Sequence, residues 1–309
     1  MEPQCAPAVL MVRPAGFDFN RQTAASNAFQ QPAPGCPDGE IAGQVLREFD
    51  GLATALQQAG VEVIVAADTP QPGKPDAIFP NNWVSFHLDG TVVQYPMLAP
   101  NRRLERREDI LEQVVNRGRF HVSRTVDLTH REAEGKFLEG TGSLVLDRAH
   151  RIAYASLSPR TDLAVLGEFA QLMDYDLVIF EAAGAAANPV YHTNVVMSIG
   201  ARFAVVCGES IYRPRQRAAV FDALDAGGHA VLDITLAQMC EFAANLLELA
   251  PARGPCIAVS TRAWRSLEPA QQRALESHAR VIPADIPTIE RIGGGGVRCM
   301  LAELHLPKR

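Results

Sequence analysis

The feature that most constrains the fold is a pattern that returns along the chain. An apolar, strand-like run, a short turn and a second such run are followed by a helical stretch and often by one more strand. Residues 83–87, the Asp89-Gly90 turn and residues 91–95 form the first hairpin, Asp-Gly being a strong turn signal. Residues 143–155 read as a second hairpin, 194–206 as a third and 245–259 as a fourth. Residues 297–306 begin a fifth, which finds its partner in the N-terminal run at 8–12. The second to fifth hairpins start about fifty residues apart, a period that implies stacked or radial units. Helical spacing of apolar residues fills the gaps at 40–59, 103–115, 161–173, 213–225 and 268–278. A two-domain dinucleotide-binding fold is the main rival. Against it, no strand runs into Gly-x-Gly-x-x-Gly opening a helix, and the Gly293-Gly294-Gly295-Gly296 run lacks the Lys-Ser/Thr of a phosphate loop.

The chain has 309 residues, 47% of them apolar and 21% charged, which suits a soluble globular protein with a large core. A net charge of −6 with no basic stripe argues against nucleic acid and against an anionic membrane as partner. No apolar run is long enough to span a bilayer, and the N-terminus lacks the positive region of a signal peptide, so a cytoplasmic protein is expected. The six cysteines, Cys5, Cys36, Cys207, Cys240, Cys256 and Cys299, show no Cys-x-x-Cys spacing. The eight histidines show no His-Glu-x-x-His pattern, so neither a metal site nor a cofactor is expected. Cys207 and Cys256 sit in apolar runs and read as core residues. Cys299 differs: it follows four glycines and stands directly after Arg298, a cation that favours thiolate over thiol. The competing structural reading is a tight turn into an apolar strand with a small core cysteine.

If the units are radial, the residues entering each hairpin meet near the centre. Asn81-Asn82 lead into the first, Glu139-Gly140-Thr141-Gly142 into the second, His192-Thr193-Asn194 into the third, and Cys299 opens the fifth. Each alone has a structural explanation as a turn, cap or core residue. Together they bring a thiol, an imidazole, a carboxylate and amides to one place. The polar segment 14–37, with Asn20, Gln22, Thr23, Asn27 and Gln30, reads as a surface loop or as a lid over that place.

The patterns Leu138-Glu139-Gly140, His192-Thr193-Asn194 and Gly295-Gly296-Val297-Arg298-Cys299-Met300 resemble, in this order, those of the arginine deiminase and amidinotransferase superfamily, the penteins. Met11-Val12-Arg13-Pro14, Phe17, Asn20, Gln22-Thr23-Ala24, Asn27, Phe29 and Phe79-Pro80-Asn81-Asn82-Trp83 are similar to the branch of citrulline utilization hydrolases. The resemblance implies an α/β fold, a five-bladed propeller of ββαβ units with pseudo-fivefold symmetry, over residues 1–309 as one domain.

It further implies that Cys299 is the nucleophile, His192 the general acid and base, and Glu139 the carboxylate that orients the histidine. A guanidinium or ureido carbon is a poor electrophile, so a thiolate is a suitable attacker. A nearby histidine can protonate the departing amine and then activate water. Deiminases carry aspartates where this chain has Asn82 and Asn194. A buried cation without carboxylates is costly, whereas an amide offers both donor and acceptor to a neutral ureido group. The expected activity is therefore cofactor-free cysteine hydrolysis of citrulline to ornithine, with Asn81, Asn82 and Asn194 in substrate binding. Arg160, or Arg213, is the candidate for the substrate carboxylate, with a solvated surface position as the competing reading for each. A deiminase or dihydrolase acting on arginine or a substituted arginine, an amidinotransferase, and a non-catalytic pentein binding module are the alternatives. A small-molecule substrate is the expected partner, and the sequence leaves a homo-oligomer open.

Overall fold

A computed structural model describes residues 2–32, 38–184 and 187–309. Its strands form five sheets of three strands each, all with the same plan. In each, a first strand pairs antiparallel with a second, and a helix then carries the chain to a third strand parallel to the second. The fifth blade contains the first strands in chain order, β1 (Ala8–Arg13) and β2 (Glu62–Ala67). The first blade holds β3 (Val84–Phe86), β4 (Thr91–Gln94) and β5 (Arg124–Asp127), and the second holds β6 (Val145–Asp147), β7 (Ile152–Ser156) and β8 (Asp176–Phe180). The third holds β9 (Met197–Ile199), β10 (Phe203–Val206) and β11 (Ala230–Asp233). The fourth holds β12 (Leu247–Leu249), β13 (Cys256–Ser260) and β14 (Arg280–Ala284), and β15 (Ala302–Leu304) returns to pair with β1. The crossover helices are α1 (Asp38–Ala59), α2 (Glu108–Arg117), α3 (Leu163–Met173), α4 (Pro214–Ala226) and α5 (Pro269–Glu276), close to the segments expected from periodicity.

Local chemistry explains these elements. In α1 the residues Ile41, Val45, Phe49, Leu52 and Leu56 recur at helical spacing and are all buried. The Asp162 carboxylate caps α3 by accepting the Ala164 and Val165 N–H groups. In the Asp89-Gly90 turn, the Asp89 carboxylate accepts the Thr91 N–H at 2.9 Å. The central strands are apolar on both faces because each blade is packed from both sides. Val9 and Met11 enter the core shared with the fourth blade, while Ala8, Leu10 and Val12 enter the core shared with the first. Ile257 and Val259 likewise face one neighbour while Cys256 and Ala258 face the other. Cys207 and Cys256 are core residues, each pushed up to about 11 by burial. Cys36 lies outside the described residues. Among the described residues no helix is long and apolar enough to cross a membrane.

One expectation needs correction. The polar residues that enter each hairpin do not lie in strands. Residues 297–306 were expected as one strand, but Val297–Met300 is a helical turn and the strand begins only at Ala302. Similar single turns, Pro80–Asn82, Gly140–Ser143 and Thr193–Val196, precede β3, β6 and β9. These turns touch one another at the hub. A strand carried into the hub would expose unpaired backbone groups to a crowded interior. A helical turn satisfies them locally, as in the Cys299 N–H to Gly296 carbonyl bond of 3.1 Å.

Candidate active site

The position of Cys299 is built by the glycine run. The helix Pro287–Gly293 ends at Gly294, whose φ of +64° lies in the left-handed region. A Cβ at Gly294 would also come within 2.6 Å of Gln30 and 2.7 Å of Asn27. The following turn buries Cys299 with its sulfur against two amides. Asn245 Nδ2 donates to Sγ at 3.4 Å and Asn194 Nδ2 at 3.7 Å. Asn245 was missed in the sequence analysis, which read it as the start of a strand. It occupies the hairpin-entry position of the fourth blade, so the rule that singled out Asn82, Asn194 and Cys299 finds it as well. It also ties the turn together: Nδ2 donates to the Asn194 carbonyl at 2.9 Å, and Oδ1 accepts the Arg298 N–H at 3.1 Å.

The expected role of Arg298 changes. Its guanidinium donates to Glu303 at 2.7 Å and to the Leu301 carbonyl at 2.9 Å, so it is already ion-paired. Burial pushes the Cys299 thiol up, and the Asn245 hydrogen bond, the Arg298 charge and the Asn194 hydrogen bond offset this only in part. The resting group is a thiol.

Glu139 and His192 form one unit. His192 Nε2 lies 2.8 Å from Glu139 Oε2, and both side chains are buried. Burial drives His192 down to about 4, against the opposing pull of Glu139 and with help from the charges of Arg160 and Arg102. Burial would raise Glu139, but the Arg160 charge, the His192 hydrogen bond and the Arg102 charge outweigh it and hold the carboxyl far below its usual range. Glu139 is thus an anion facing a neutral imidazole that donates from Nε2. This leaves Nδ1 to accept a proton, and among the described residues Nδ1 has no protein partner. The ring packs directly on Gly142, where a Cβ would come within 2.7 Å of Nδ1 and 2.6 Å of Asn82 Nδ2. Only glycine leaves room there for the imidazole and the amide together.

Cys299 and His192 line one small cavity of about 10 Å³ with Asn27, Asp76, Phe79, Asn82, Arg102, Arg160, Tyr191 and three glycines. Asn82 is therefore in the wall, its Oδ1 accepting from Arg102 at 2.8 Å and its Nδ2 donating to Asn81 at 3.0 Å. Asn81 supports that side chain from behind. Asn194 contacts the sulfur but is not part of this wall; it borders a second cavity instead.

Arg160 is buried, which removes the solvated-surface reading. It reaches Glu139 at 3.3 Å, the Ser26 hydroxyl at 2.8 Å and the Thr23 carbonyl at 3.2 Å, and it lies over the Tyr191 ring at 5.0 Å. Arg213 is on the surface beside Glu181. Arg102 and Asp76 were not anticipated. Arg102 is bidentate to Glu105 at 2.9 Å on both arms and lies 3.7 Å from both Asp76 and Glu139. Asp76 is buried, accepts from Asn20 at 2.8 Å and, among the described residues, has no partner on Oδ1. Nothing in local sequence marks either residue, because each acquires its environment only through distant segments.

The described part of segment 14–37 lies over the cavity. Asn20, Thr23, Asn27 and Gln30 are buried there, with Asn20 on Asp76, Asn27 on the Gly294 carbonyl at 3.3 Å, and Thr23 and Ser26 on Arg160. Residues 33–37 of that segment lie outside the described residues. A wider groove on the far side of Tyr191, lined by Phe29, Cys240, Arg262 and Arg291, contains no paired acid and base.

The family model described as N,N dimethylarginine dimethylhydrolase, eukaryotic, matches residues 13–306. No curated protein sequence matches. Among solved structures, the N-terminal domain of ArgZ, an arginine dihydrolase from the ornithine–ammonia cycle in Cyanobacteria, superposes with a TM-score of 0.73 at 15% identity, covering 97% of this chain and 99% of that one. Unliganded AgrE superposes with 0.74 at 17% identity, covering 98% of this chain and 40% of that one. A dimethylarginine dimethylaminohydrolase in adduct with S-methyl-L-thiocitrulline gives 0.66 at 17%, covering 96% and 99%. At these identities the likeness is one of fold, and that fold is the pentein propeller of ββαβ units.

Proposed function

Given that the chain belongs to the N,N dimethylarginine dimethylhydrolase family of the pentein superfamily, we propose that it hydrolyses citrulline to ornithine through Cys299, His192 and Glu139, with residues 1–309 acting as one domain. The family makes it a hydrolase of carbon–nitrogen bonds in guanidino compounds; the ureido substrate and the residue roles are the proposal.

The carrying observation is the amide character of the wall beside the nucleophile. Asn82 lies in the wall beside Arg102, with Oδ1 taken by the guanidinium and one N–H used on Asn81. Its second N–H suits the oxygen of a neutral ureido group. The charges of the wall are nearly matched without a cationic substrate. Arg102 and Arg160 face Asp76, Glu105 and Glu139, and burial holds Asp76 up and Glu105 at about 7. Arg160 suits the substrate carboxylate, and the free Oδ1 of Asp76 suits its ammonium group.

In the first half-reaction His192 Nδ1 takes the Cys299 proton and the thiolate attacks the ureido carbon. The imidazolium, stabilised by Glu139, returns the proton to the departing nitrogen as the carbon–nitrogen bond breaks. A thiocarbamate on Cys299 remains. In the second, His192 takes a proton from water, which attacks the same carbon and releases the thiol. The carbamate formed decomposes, so that citrulline and one water yield ornithine, carbon dioxide and ammonia. Asn245 and Asn194 hold the sulfur while it is anionic.

A second reading, hydrolysis of arginine or a methylated arginine, is favoured by the same Asp76, a carboxylate that could meet a guanidinium. The test is to incubate the protein separately with citrulline, arginine and dimethylarginine and to quantify ornithine, citrulline, ammonia and dimethylamine. Ornithine from citrulline, lost in Cys299→Ala, is expected. Citrulline left untouched while it accumulates from either arginine compound overturns the ureido assignment. Asn82→Asp should cost citrulline about tenfold or more, the worth of roughly one buried donor, and shift preference toward arginine.

A further inference from the structure

Away from the active site, the fold brings together two imidazoles and a carboxylate that are distant in sequence. Asp147 ends β6, His150 lies in the following turn, and His229 leads into β11 of the neighbouring blade. His150 Nδ1 is 2.9 Å from both oxygens of Asp147, and His229 Nε2 is 2.8 Å from Oδ2. One nitrogen or oxygen atom from each of the three lies within 4.8 Å of the others. The side chains of Asp147 and His229 are buried, at 0% and 2% exposure, whereas His150 is 35% exposed and opens the cluster to solvent.

Three further observations separate this cluster from an ordinary turn cap. Among the described residues, no lysine or arginine pairs with Asp147, so the only ionisable partners of its buried charge are imidazoles. His229 Nδ1 is buried and, among the described residues, has no partner. The cluster also rests on glycine backbone: a Cβ at Gly227 would come within 3.0 Å of the His229 ring and 3.4 Å of Asp147 Oδ2. The turn cap needs only the Asp147 bond to the His150 N–H at 3.1 Å, and it gives no reason for a second histidine from another blade.

We infer that Asp147, His150 and His229 bind a divalent transition-metal ion of the zinc class, which staples the second blade to the third. Two imidazoles and one carboxylate are a borderline-soft donor set, suited to zinc and its neighbours more than to calcium or magnesium. Bonds of about 2.0–2.1 Å in a tetrahedron place ligand atoms roughly 3.3 Å apart. The present spacings of 2.8–2.9 Å are shorter, so both the exposed His150 ring and the buried His229–Asp147 pair must open by about 0.5 Å. The imidazole protons now shared with Asp147 move to the opposite ring nitrogens. Three protein ligands leave one position for water on the solvent side.

The test uses tag-free, chelator-treated full-length protein carrying Cys299→Ser and Cys240→Ser, which removes zinc binding at the catalytic and the partly exposed thiol. Calorimetric titration with zinc should give one site per chain with a micromolar or tighter Kd and raise the Tm by several degrees. Cobalt(II) should give a spectrum without thiolate charge transfer. His150→Ala, a partly exposed position that should not perturb folding, should weaken zinc at least tenfold, and His229→Gln should do the same. In the otherwise wild-type protein, His150→Ala should leave metal-free turnover unchanged. No heat of binding at 100 µM zinc, an affinity equal in His150→Ala, or a thiolate band in the cobalt spectrum each overturns the assignment.

Discussion

Glu139→Gln is the most telling single change, because it alters the histidine without altering the shape of the site. The carboxylate now accepts from His192 Nε2 at 2.8 Å and from the Leu98 N–H at 3.1 Å. A glutamine can keep the Leu98 bond through its carbonyl, but it then offers an N–H to His192. The imidazole must turn acceptor at Nε2 and carry its proton on Nδ1, the nitrogen proposed as the base. It can then no longer take the Cys299 proton. Replacing the buried acid of a catalytic triad by its amide in this way costs about four orders of magnitude in kcat, or roughly 5.5 kcal/mol of barrier. The substitution also removes an anion from between two buried guanidiniums, Arg160 at 3.3 Å and Arg102 at 3.7 Å. Breaking buried pairs of this kind costs about 3–5 kcal/mol, so a Tm lower by several degrees accompanies the kinetic loss. The assay is citrulline turnover at pH 7 on protein shown by circular dichroism to be folded. A folded variant with kcat within tenfold of wild type would refute the assignment of Nδ1 as the base.

Asn245→Ala removes the nearer donor to the Cys299 sulfur and should lower kcat by about 5–150-fold, one donor being worth about 1–3 kcal/mol; alkylation rate against pH should show the thiol moved higher, and an unchanged profile would count against the amide cradle. Gly142→Ala drives a Cβ into His192 Nδ1 and Asn82 Nδ2 and should cost roughly a hundredfold in kcat together with a Tm lower by several degrees from overpacking, whereas full activity would mean that the imidazole can sit elsewhere. His192 is lowered in the fold from 6.5 to about 4, so the unfolded chain takes up its proton first as pH falls. The stability that His192 contributes is complete above pH 6.5 and is lost between 6.5 and 4, by up to about 3 kcal/mol. Urea denaturation at pH 7 and pH 4.5 should show a smaller drop in His192→Gln than in wild type, and equal drops would refute the assignment of a buried neutral imidazole.

Much of this protein is determined locally. Strand pairs joined by Asp-Gly and similar turns, helices with one apolar face and a spacing of about fifty residues suffice for five like units, because hairpins and crossover helices are set by side chains near one another in sequence. Glu139, His192 and Cys299 were legible for a related reason: each opens a unit, and radial symmetry converts equal positions in the repeat into neighbours in space. The same rule reaches Asn245. Other features belong to the tertiary structure alone. Whether the thiol of Cys299 is held up or down depends on burial and on where the Arg298 guanidinium goes, and Glu303 takes it. Arg160 reads as a surface arginine until the segment around Thr23 and Ser26 closes over it. Asp76 and Arg102 become part of the cavity only when Asn20, Asn82 and Glu105 surround them. Likewise the imidazoles on either side of Asp147 meet only because blades two and three pack together. Charge and protonation are set by everything within several ångströms, and in a propeller most of that comes from other blades.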